Sequence, residues 1–183
     1  VRGAVVEAGG APVKGATITI RDLATATPIV TAEPGTLVSD ESGGIALGEL
    51  GPGEYVVTAH AQGLASGRAR LRVTAGAEAV FRIALARPGG LSVRVEDPSG
   101  LGLPRAKLAL RDEEGLVVDR PLRNEDLADP FAGDSDPSGT ITREALAPGR
   151  YRGEVVLDGR RASFEVDVAA DRVAEVRVVL PLR

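Results

Sequence analysis

The acidic turn around residue 136 has the residue types and spacing of a candidate calcium site. Asp134, Asp136, Ser138 and Gly139 follow the order with which a loop begins to wrap Ca²⁺. The twelfth position of such a loop is Ala145, where a glutamate would supply two oxygens. The same turn occurs in the first half of the chain without the additional acids. A solvated acidic turn is therefore favoured, with Asp134 and Asp136 kept as calcium candidates and no cofactor expected.

Catalytic chemistry has little support in this sequence. The chain has one histidine, His60, and no cysteine. If residues 53–61 form a strand, Tyr55, Val57 and Ala59 share one face, so His60 is expected to face solvent. A zinc site needs further nitrogen or sulfur ligands, and no serine lies in a nucleophile elbow. We therefore expect no catalytic residues and no enzyme activity.

The two tyrosines of the chain follow Pro-Gly pairs at the starts of predicted strands. Tyr55 and Tyr151 are expected to be tyrosine corners, with the ring in the core and the hydroxyl bonded to nearby backbone. Gly43 and Gly139 follow Asp-x-Ser and are predicted to be turn glycines with positive φ. These four residues are interpreted as structural.

Charged residues form stripes of opposite sign in the two halves of the chain. The outward positions of one predicted hairpin are Arg68, Arg70 and Arg72, continued by Arg82. The equivalent positions 95 residues later are Ser163, Glu165 and Asp167. Two solvated faces explain this pattern. The alternative is a charge-complementary contact between copies or with an anionic polymer.

A long loop at 120–136 is the most distinctive candidate surface for a partner. It places apolar Leu127 and Phe131 among several aspartates. Loops on rigid scaffolds tolerate insertion and often carry recognition. The loop either contacts a neighbouring domain or partner, or folds back as a cap over the edge of the fold.

The elements that would position these residues are short β-strands. Apolar and polar residues alternate with period two through most of the chain, as in half-buried antiparallel strands, and no segment has a convincing helical period. About seven such strands per ninety residues indicate a β-sandwich. The predicted strands are 2–7, 16–22, 28–32, 36–39, 44–48, 53–61, 66–73 and 79–86, then 91–96, 106–112, 115–120, 140–145, 149–157, 161–168 and 173–180.

An internal repeat divides the chain into two domains. Leu50–Tyr55 returns as Leu146–Tyr151, and matching residues upstream and downstream are offset by 90 and by 96. The prediction is all-β, with two tandem seven-stranded Greek-key β-sandwiches of transthyretin-like or Ig-like type. They would span 1–87 and 88–183, the second a divergent copy with a longer loop in its middle.

Composition excludes several partners. The net charge is −4 and the sequence has no long basic run, which argues against nucleic acid, and no apolar run approaches the length of a membrane span. The absence of cysteine means no disulfides and leaves the redox compartment open. The absence of methionine, even at position 1, suggests a processed product or an excised fragment.

Several short motifs resemble one known family. They are Val1–Val5, Pro12–Ala16, Ser39–Gly43, Leu50–Tyr55 and Ala61–Leu64, with Asp136–Gly139 and Pro148–Tyr151 kept in the second half. Each half resembles the carboxypeptidase regulatory-like domain, a transthyretin-like β-sandwich common in bacterial surface proteins. In metallocarboxypeptidases this domain is an accessory to a separate catalytic domain.

The resemblance implies a non-enzymatic structural or interaction module of a larger bacterial secreted or envelope protein. It would act as a spacer, stalk or adhesion-type element at the cell surface, outside the cell or in the periplasm. Its partners would be proteins, neighbouring domains of the same polypeptide, or polysaccharide. The alternatives are a carbohydrate-binding module, or an accessory domain of a peptidase or outer-membrane receptor.

Overall fold

The chain folds into two compact units made of β-strands. The computed structural model describes residues 1–25, 28–29, 37–118 and 134–181. The first unit is Val1–Arg87 and the second is Pro88–Arg183. The described ranges contain strands, turns and loops but no helix, and hence no helix able to span a membrane. The all-β prediction is confirmed.

The first unit has two sheets in its described part. Three strands form one sheet in the order β4-β1-β7, and four form the other in the order β3-β2-β5-β6. The strands are β1 (Arg2–Glu7), β2 (Thr17–Asp22), β3 (Pro28–Ile29), β4 (Gly44–Ala46), β5 (Gly53–His60), β6 (Gly67–Val73) and β7 (Val80–Leu85).

The second unit repeats this arrangement with six described strands. Its sheets have the orders β10-β8-β13 and β12-β11-β9. A single bridge between Arg111 and Val117 lies where β2 pairs with β3 in the first unit. The strands are β8 (Gly89–Glu96), β9 (Lys107–Arg111), β10 (Thr140–Leu146), β11 (Gly149–Leu157), β12 (Arg160–Val168) and β13 (Val173–Val179).

The first and last strands of each unit are parallel neighbours, which the alternation of residue types did not indicate. β1 pairs with β7 over six residues, and β8 pairs with β13 over seven. The intervening chain crosses to the other sheet and returns, so the closing strand can run in the same direction as the opening one. Consequently β6 and β7 lie in different sheets and do not form the predicted hairpin.

The cores are built from aliphatic side chains on the inward face of each strand. Burying one Val, Leu or Ile side chain contributes about 1.5–3 kcal/mol. The largest fully buried side chains are Val5, Val57, Ile83 and Leu85 in the first unit, and Leu91, Val93, Val95, Leu110, Ile141, Val155 and Leu180 in the second. A small aromatic content is thus sufficient for two modest cores.

Two phenylalanine rings cover glycines on the neighbouring strand. Phe81 on β7 is in register with Gly3 on β1, and Phe164 on β12 is in register with Gly153 on β11. In both pairs the ring occupies the space that a glycine Cβ would need. A strand glycine has no side chain to pack, and the aromatic ring covers the backbone in its place.

Each unit also contains a buried serine that joins two crossing segments. The Ser39 hydroxyl donates to the Val13 carbonyl at 2.6 Å and accepts from the Ala16 N–H at 2.9 Å. In the second unit the Ser135 hydroxyl donates to the Leu103 carbonyl at 2.7 Å and accepts from the Ala106 N–H at 2.8 Å. These serines satisfy backbone groups that water does not reach easily.

Replacing Ser135 by alanine should destabilise the second unit by about 1–3 kcal/mol, because one buried N–H and one carbonyl lose their partner. Tyrosine fluorescence during urea unfolding measures this in a Tyr55→Phe background, where Tyr151 reports on the second unit alone. Ser163→Ala, at an exposed position on β12, is the control and should change stability by less than about 0.5 kcal/mol. Equal midpoints for Ser135→Ala and this control would contradict the role of the serine.

Candidate functional site

The outer face of the four-stranded sheet in the first unit is the main candidate interaction surface. On β6, Arg70 and Arg72 are exposed and Arg68 is half-exposed. Arg21 on β2 is exposed on the same side, and Val56 lies in register between Arg21 and Arg70. Val56 is only 9% exposed although it points outward, consistent with coverage by the arginine stems. We call Arg21, Arg68, Arg70 and Arg72 the arginine face.

Sequence reasoning misplaced one arginine and missed another. Arg82 lies on β7, in register with Ala4, and therefore belongs to the other sheet. It does not continue the stripe of β6. Arg21 joins that stripe because β2 and β6 flank β5 in the same sheet. Only strand order could show this, because alternation says which face a residue lies on but not which strands are neighbours.

The equivalent face of the second unit carries charges of both signs. Glu165 on β12 pairs with Arg150 at 2.7 Å and with Arg152 at 3.0 Å on β11. Arg161 and Glu154 pair at 3.6 Å. The acidic stripe on β12 is thus matched by arginines on the next strand. Exposed pairs of this kind contribute roughly 0–1 kcal/mol each, so they set surface charge more than stability.

The two tyrosines are held as corners. The Tyr55 hydroxyl donates to the Gly51 carbonyl at 2.8 Å, and the Tyr151 hydroxyl donates to the Ala147 carbonyl at 2.6 Å. Both residues are 5% exposed. Phe81 is also buried, and Phe164 is half-buried against the core. These four rings therefore do not form an exposed platform for a sugar.

Tyr151→Phe should destabilise the second unit by about 1 kcal/mol, because one hydrogen bond is lost while the ring still packs. Amide hydrogen exchange of β11 measures this loss directly. Tyr55 fluorescence should show an unchanged first unit. Unchanged exchange in β11 would mean that the Tyr151 hydroxyl makes no net contribution to the stability of the second unit.

Three aspartates organise nearly identical turns. The Asp136 Oδ1 atom accepts from the Ser138 N–H at 2.8 Å, the Ser138 hydroxyl at 2.6 Å and the Thr140 N–H at 2.9 Å. Asp40 and Asp97 make the same set of contacts in their own turns. The serine hydroxyl is the main cause that lowers the pKa of all three carboxyl groups, and backbone N–H groups add to it.

The turn glycines are required by geometry at Gly43 and Gly139. Their φ angles are 75° and 86°, in the region that favours glycine. A Cβ at either position would also collide with a carbonyl oxygen, that of Val5 or that of Val95. Any larger residue would push β1 or β8 away from the turn.

The lowered pKa of Asp136 gives its stabilising effect a definite pH dependence. A carboxyl whose pKa is lower in the folded state stabilises the fold fully above its unfolded pKa of about 3.9, and this stability is lost as pH falls through the folded value. Asp136→Asn should therefore lower the urea midpoint of the second unit at pH 7, and this deficit should shrink as pH falls below about 3.9. Asp134→Asn is the control for the same change in charge. A deficit that does not shrink over this range would show a loss of shape instead of a loss of charge.

The calcium candidates remain untested. Asp136 already uses Oδ1 for three donors, which leaves Oδ2 for a metal. Asp134 lies at the edge of the described range. Within the part of the chain that the structure describes, no three His, Cys, Asp or Glu side chains are placed to hold a metal ion. Asp134 and Asp136 stay a prediction.

His60 lies on the outward side of β5, at its end. Its Nδ1 atom is 2.6 Å from the Ser66 hydroxyl across the turn that follows. Partial desolvation of the ring lowers the pKa of His60, and the positive charge of Arg68 adds to this. The neutral ring is thus the favoured form, and its contact is with the local turn.

The loop candidates Leu127 and Phe131 lie in 119–133, outside the described residues. Their contact with a partner, or their packing as a cap over the fold, stays a prediction.

One ion pair with a buried glutamate was missed by sequence reasoning. Glu96 on β8 is 5% exposed and bonds to the guanidinium of Arg177 on β13. The position equivalent to Glu96 in the first unit is Val6, which is also buried. The substitution of a valine by a glutamate between the two copies was the available signal. A buried charge of this kind depends on its partner, because an isolated one is very costly.

Comparison with known proteins gives a family match for the first unit. Residues 1–86 match the model of the carboxypeptidase regulatory-like domain, which confirms the resemblance for that unit. No curated protein matches the chain.

Several solved structures are similar at low identity. GBS52, the minor pilin of Streptococcus agalactiae, is 13% identical with a TM-score of 0.49, covering all of this chain and 96% of that one. The shaft pilin SpaA of Lactobacillus rhamnosus GG is 14% identical with a TM-score of 0.41, covering all of this chain and 97% of that one. The Bacillus anthracis TIE protein is 16% identical with a TM-score of 0.45, over 99% of this chain. This chain spans 34% of the TIE chain, and similarities at this level say nothing about function.

Proposed function

We propose that this chain is a non-enzymatic structural module, a spacer or stalk in a larger bacterial secreted or envelope protein. Its place would be outside the cell, at the cell surface or in the periplasm. The second unit would be a divergent copy of the first. The regulatory-like match of the first unit supports an accessory role, because such domains accompany a functional part elsewhere in a protein.

The observation that carries this proposal is the parallel pairing of opening and closing strands. In the first unit the chain enters at the start of β1 and leaves at the end of β7. Because β1 and β7 are parallel, these two points lie at opposite ends of one ladder, from Arg2 paired with Val80 to Glu7 paired with Leu85. Tension between the two ends loads the ladder in shear. β8 and β13 give the second unit the same geometry.

Shear loading suits a module that must transmit force. The ladder bonds share the load and must break together, whereas a ladder pulled apart from one end loses them one at a time. Each backbone hydrogen bond contributes only about 1 kcal/mol net. The resistance of the unit to mechanical unfolding therefore depends on how many of these bonds must break at the same time. The core side chains of β1 and β7, such as Val5 and Ile83, hold the ladder in place from one side.

The polar residues that could do chemistry support a structural role. The hydroxyls of both tyrosines and both buried serines bond to backbone within their own unit, and three aspartates bond to their own turns. The arginine face is the surface through which the module would contact an acidic protein, a neighbouring domain or an anionic polysaccharide. Its four arginines carry a formal charge of +4, and Glu54 on β5, in register with Arg72, reduces this to +3.

Single-molecule force spectroscopy tests the stalk proposal, and the absence of cysteine allows handles to be placed freely. Cysteines at Val1 and Arg87 should load the first unit in shear and give a high rupture force. Cysteines at Gly9 and Arg87 pull the same two strands apart from one end, since Gly9 follows β1 and Arg87 follows β7. This second geometry should rupture at a markedly lower force. Equal forces in the two geometries would contradict the proposal.

A further inference from the structure

A cleft at one end of the second unit gathers positive charge around an apolar floor. Its volume is about 520 Å³, and it is formed by the segment before β9 and by the turn between β11 and β12. The residues that line it are Leu103, Pro104, Arg105, Lys107, Val156, Leu157, Asp158 and Arg160. Three cations and one carboxylate give it a formal charge of +2.

Arg160 is the least exposed of these cations. Its side chain is 18% exposed, and its Nη2 atom is 4.0 Å from Asp158 Oδ2, beyond hydrogen-bond distance. Its Nε–H is buried and has no hydrogen-bond partner among the described residues. A buried donor without a partner costs folding free energy, so such a group calls for an explanation such as a bound ion or water.

At the equivalent positions the first unit carries one cation, Lys14 in place of Pro104, and it pairs with Glu41 at 2.7 Å. The residues that correspond to Arg105, Lys107 and Arg160 are Gly15, Thr17 and Leu64. Arg105 adopts φ 63°, which glycine adopts more easily, as Gly15 does with φ 76°. The second unit thus carries an arginine in an unfavourable backbone conformation and another with an unpaired donor, and both line one cleft.

We propose that this cleft binds an oxyanion, a carboxylate or phosphate group, presented beside an apolar moiety. Guanidinium groups bind such oxygens through paired N–H donors, and the Lys107 ammonium adds charge at the rim. Leu103, Pro104, Val156 and Leu157 supply the apolar contact. The site is separate from the arginine face, which lies in the other unit.

Nuclear magnetic resonance titration of the whole chain tests the site, with signals from the Arg160 Nε–H and the backbone of Lys107. Phenyl phosphate and benzoate are the two anionic ligands, and benzyl alcohol is the neutral one. At least one anion should bind with a Kd on the order of 1 mM, and the tighter of the two identifies the preferred group. Benzyl alcohol should leave both signals unchanged. Signals of Gly15, Thr17 and Leu64 should also stay unchanged.

Variants distinguish a specific site from general attraction. Arg160→Leu should weaken anion binding about tenfold, the effect of losing one charge-assisted contact. Arg161→Leu removes the same charge from the next residue of β12, which does not line the cleft, and should weaken binding less than about twofold. Lys107→Gln, at an exposed position, should weaken binding severalfold and keeps the test valid if Arg160→Leu does not fold. Asp158→Asn should strengthen it.

The proposal is overturned if neither anion binds, or if benzyl alcohol binds as tightly as the anions. It is also overturned by equal losses in Arg160→Leu and Arg161→Leu, or by unchanged binding in Lys107→Gln.

Discussion

Each sandwich depends on satisfying the backbone where the chain crosses between its two sheets. The crossing segments are largely exposed, but Val13, Ala16, Ser39 and Gly43 are buried within them. A buried N–H or carbonyl without a partner costs about 1–3 kcal/mol. In the first unit, Val5 of β1 donates its N–H to the Gly43 carbonyl at 2.8 Å and accepts from the Val13 N–H at 3.0 Å. The Ser39 hydroxyl then joins Val13 to Ala16. These bonds fix both crossings against the opening strand.

The second unit solves the same problem with the same bonds. Val95 donates to the Gly139 carbonyl at 2.7 Å and accepts from the Leu103 N–H at 2.9 Å. Ser135 joins Leu103 to Ala106. The turn glycine must lack a side chain because its Cα lies against the carbonyl of the opening strand. The Asp-x-Ser-Gly turn is thus part of the crossing segment. Its aspartate fixes the turn through hydrogen bonds, so that the glycine carbonyl can accept from the N–H of the opening strand.

Sequence reasoning identified the elements well and their partners poorly. Alternation of residue types located the strands and their inward faces, and the repeat supplied the tyrosine corners and turn glycines. It could not show that β1 lies beside β7, because a strand's pattern records burial and not its neighbour. For that reason Arg82 was assigned to the wrong sheet and Arg21 was overlooked. Ser39 and Ser135 are a matching pair offset by 96 in the sequence. A serine is usually a surface residue, however, and only the structure shows the backbone groups that these two hydroxyls bond.

The two units differ mainly outside the hydrogen-bonded crossing segments, tyrosine corners and turns that they share. The crossing bonds, corners and turns recur, whereas the outer sheet faces change from an arginine face to mixed ion pairs. Even a buried position changes, from Val6 to Glu96, because Arg177 on the adjacent strand provides a partner. Such a pair gives little net stability compared with packed apolar side chains, yet losing one partner leaves a buried charge. The second unit thus has polar groups at positions where the first has none, with Arg105 and Arg160 in place of Gly15 and Leu64. The two units share the backbone bonds of their crossing segments and differ in the charges around them.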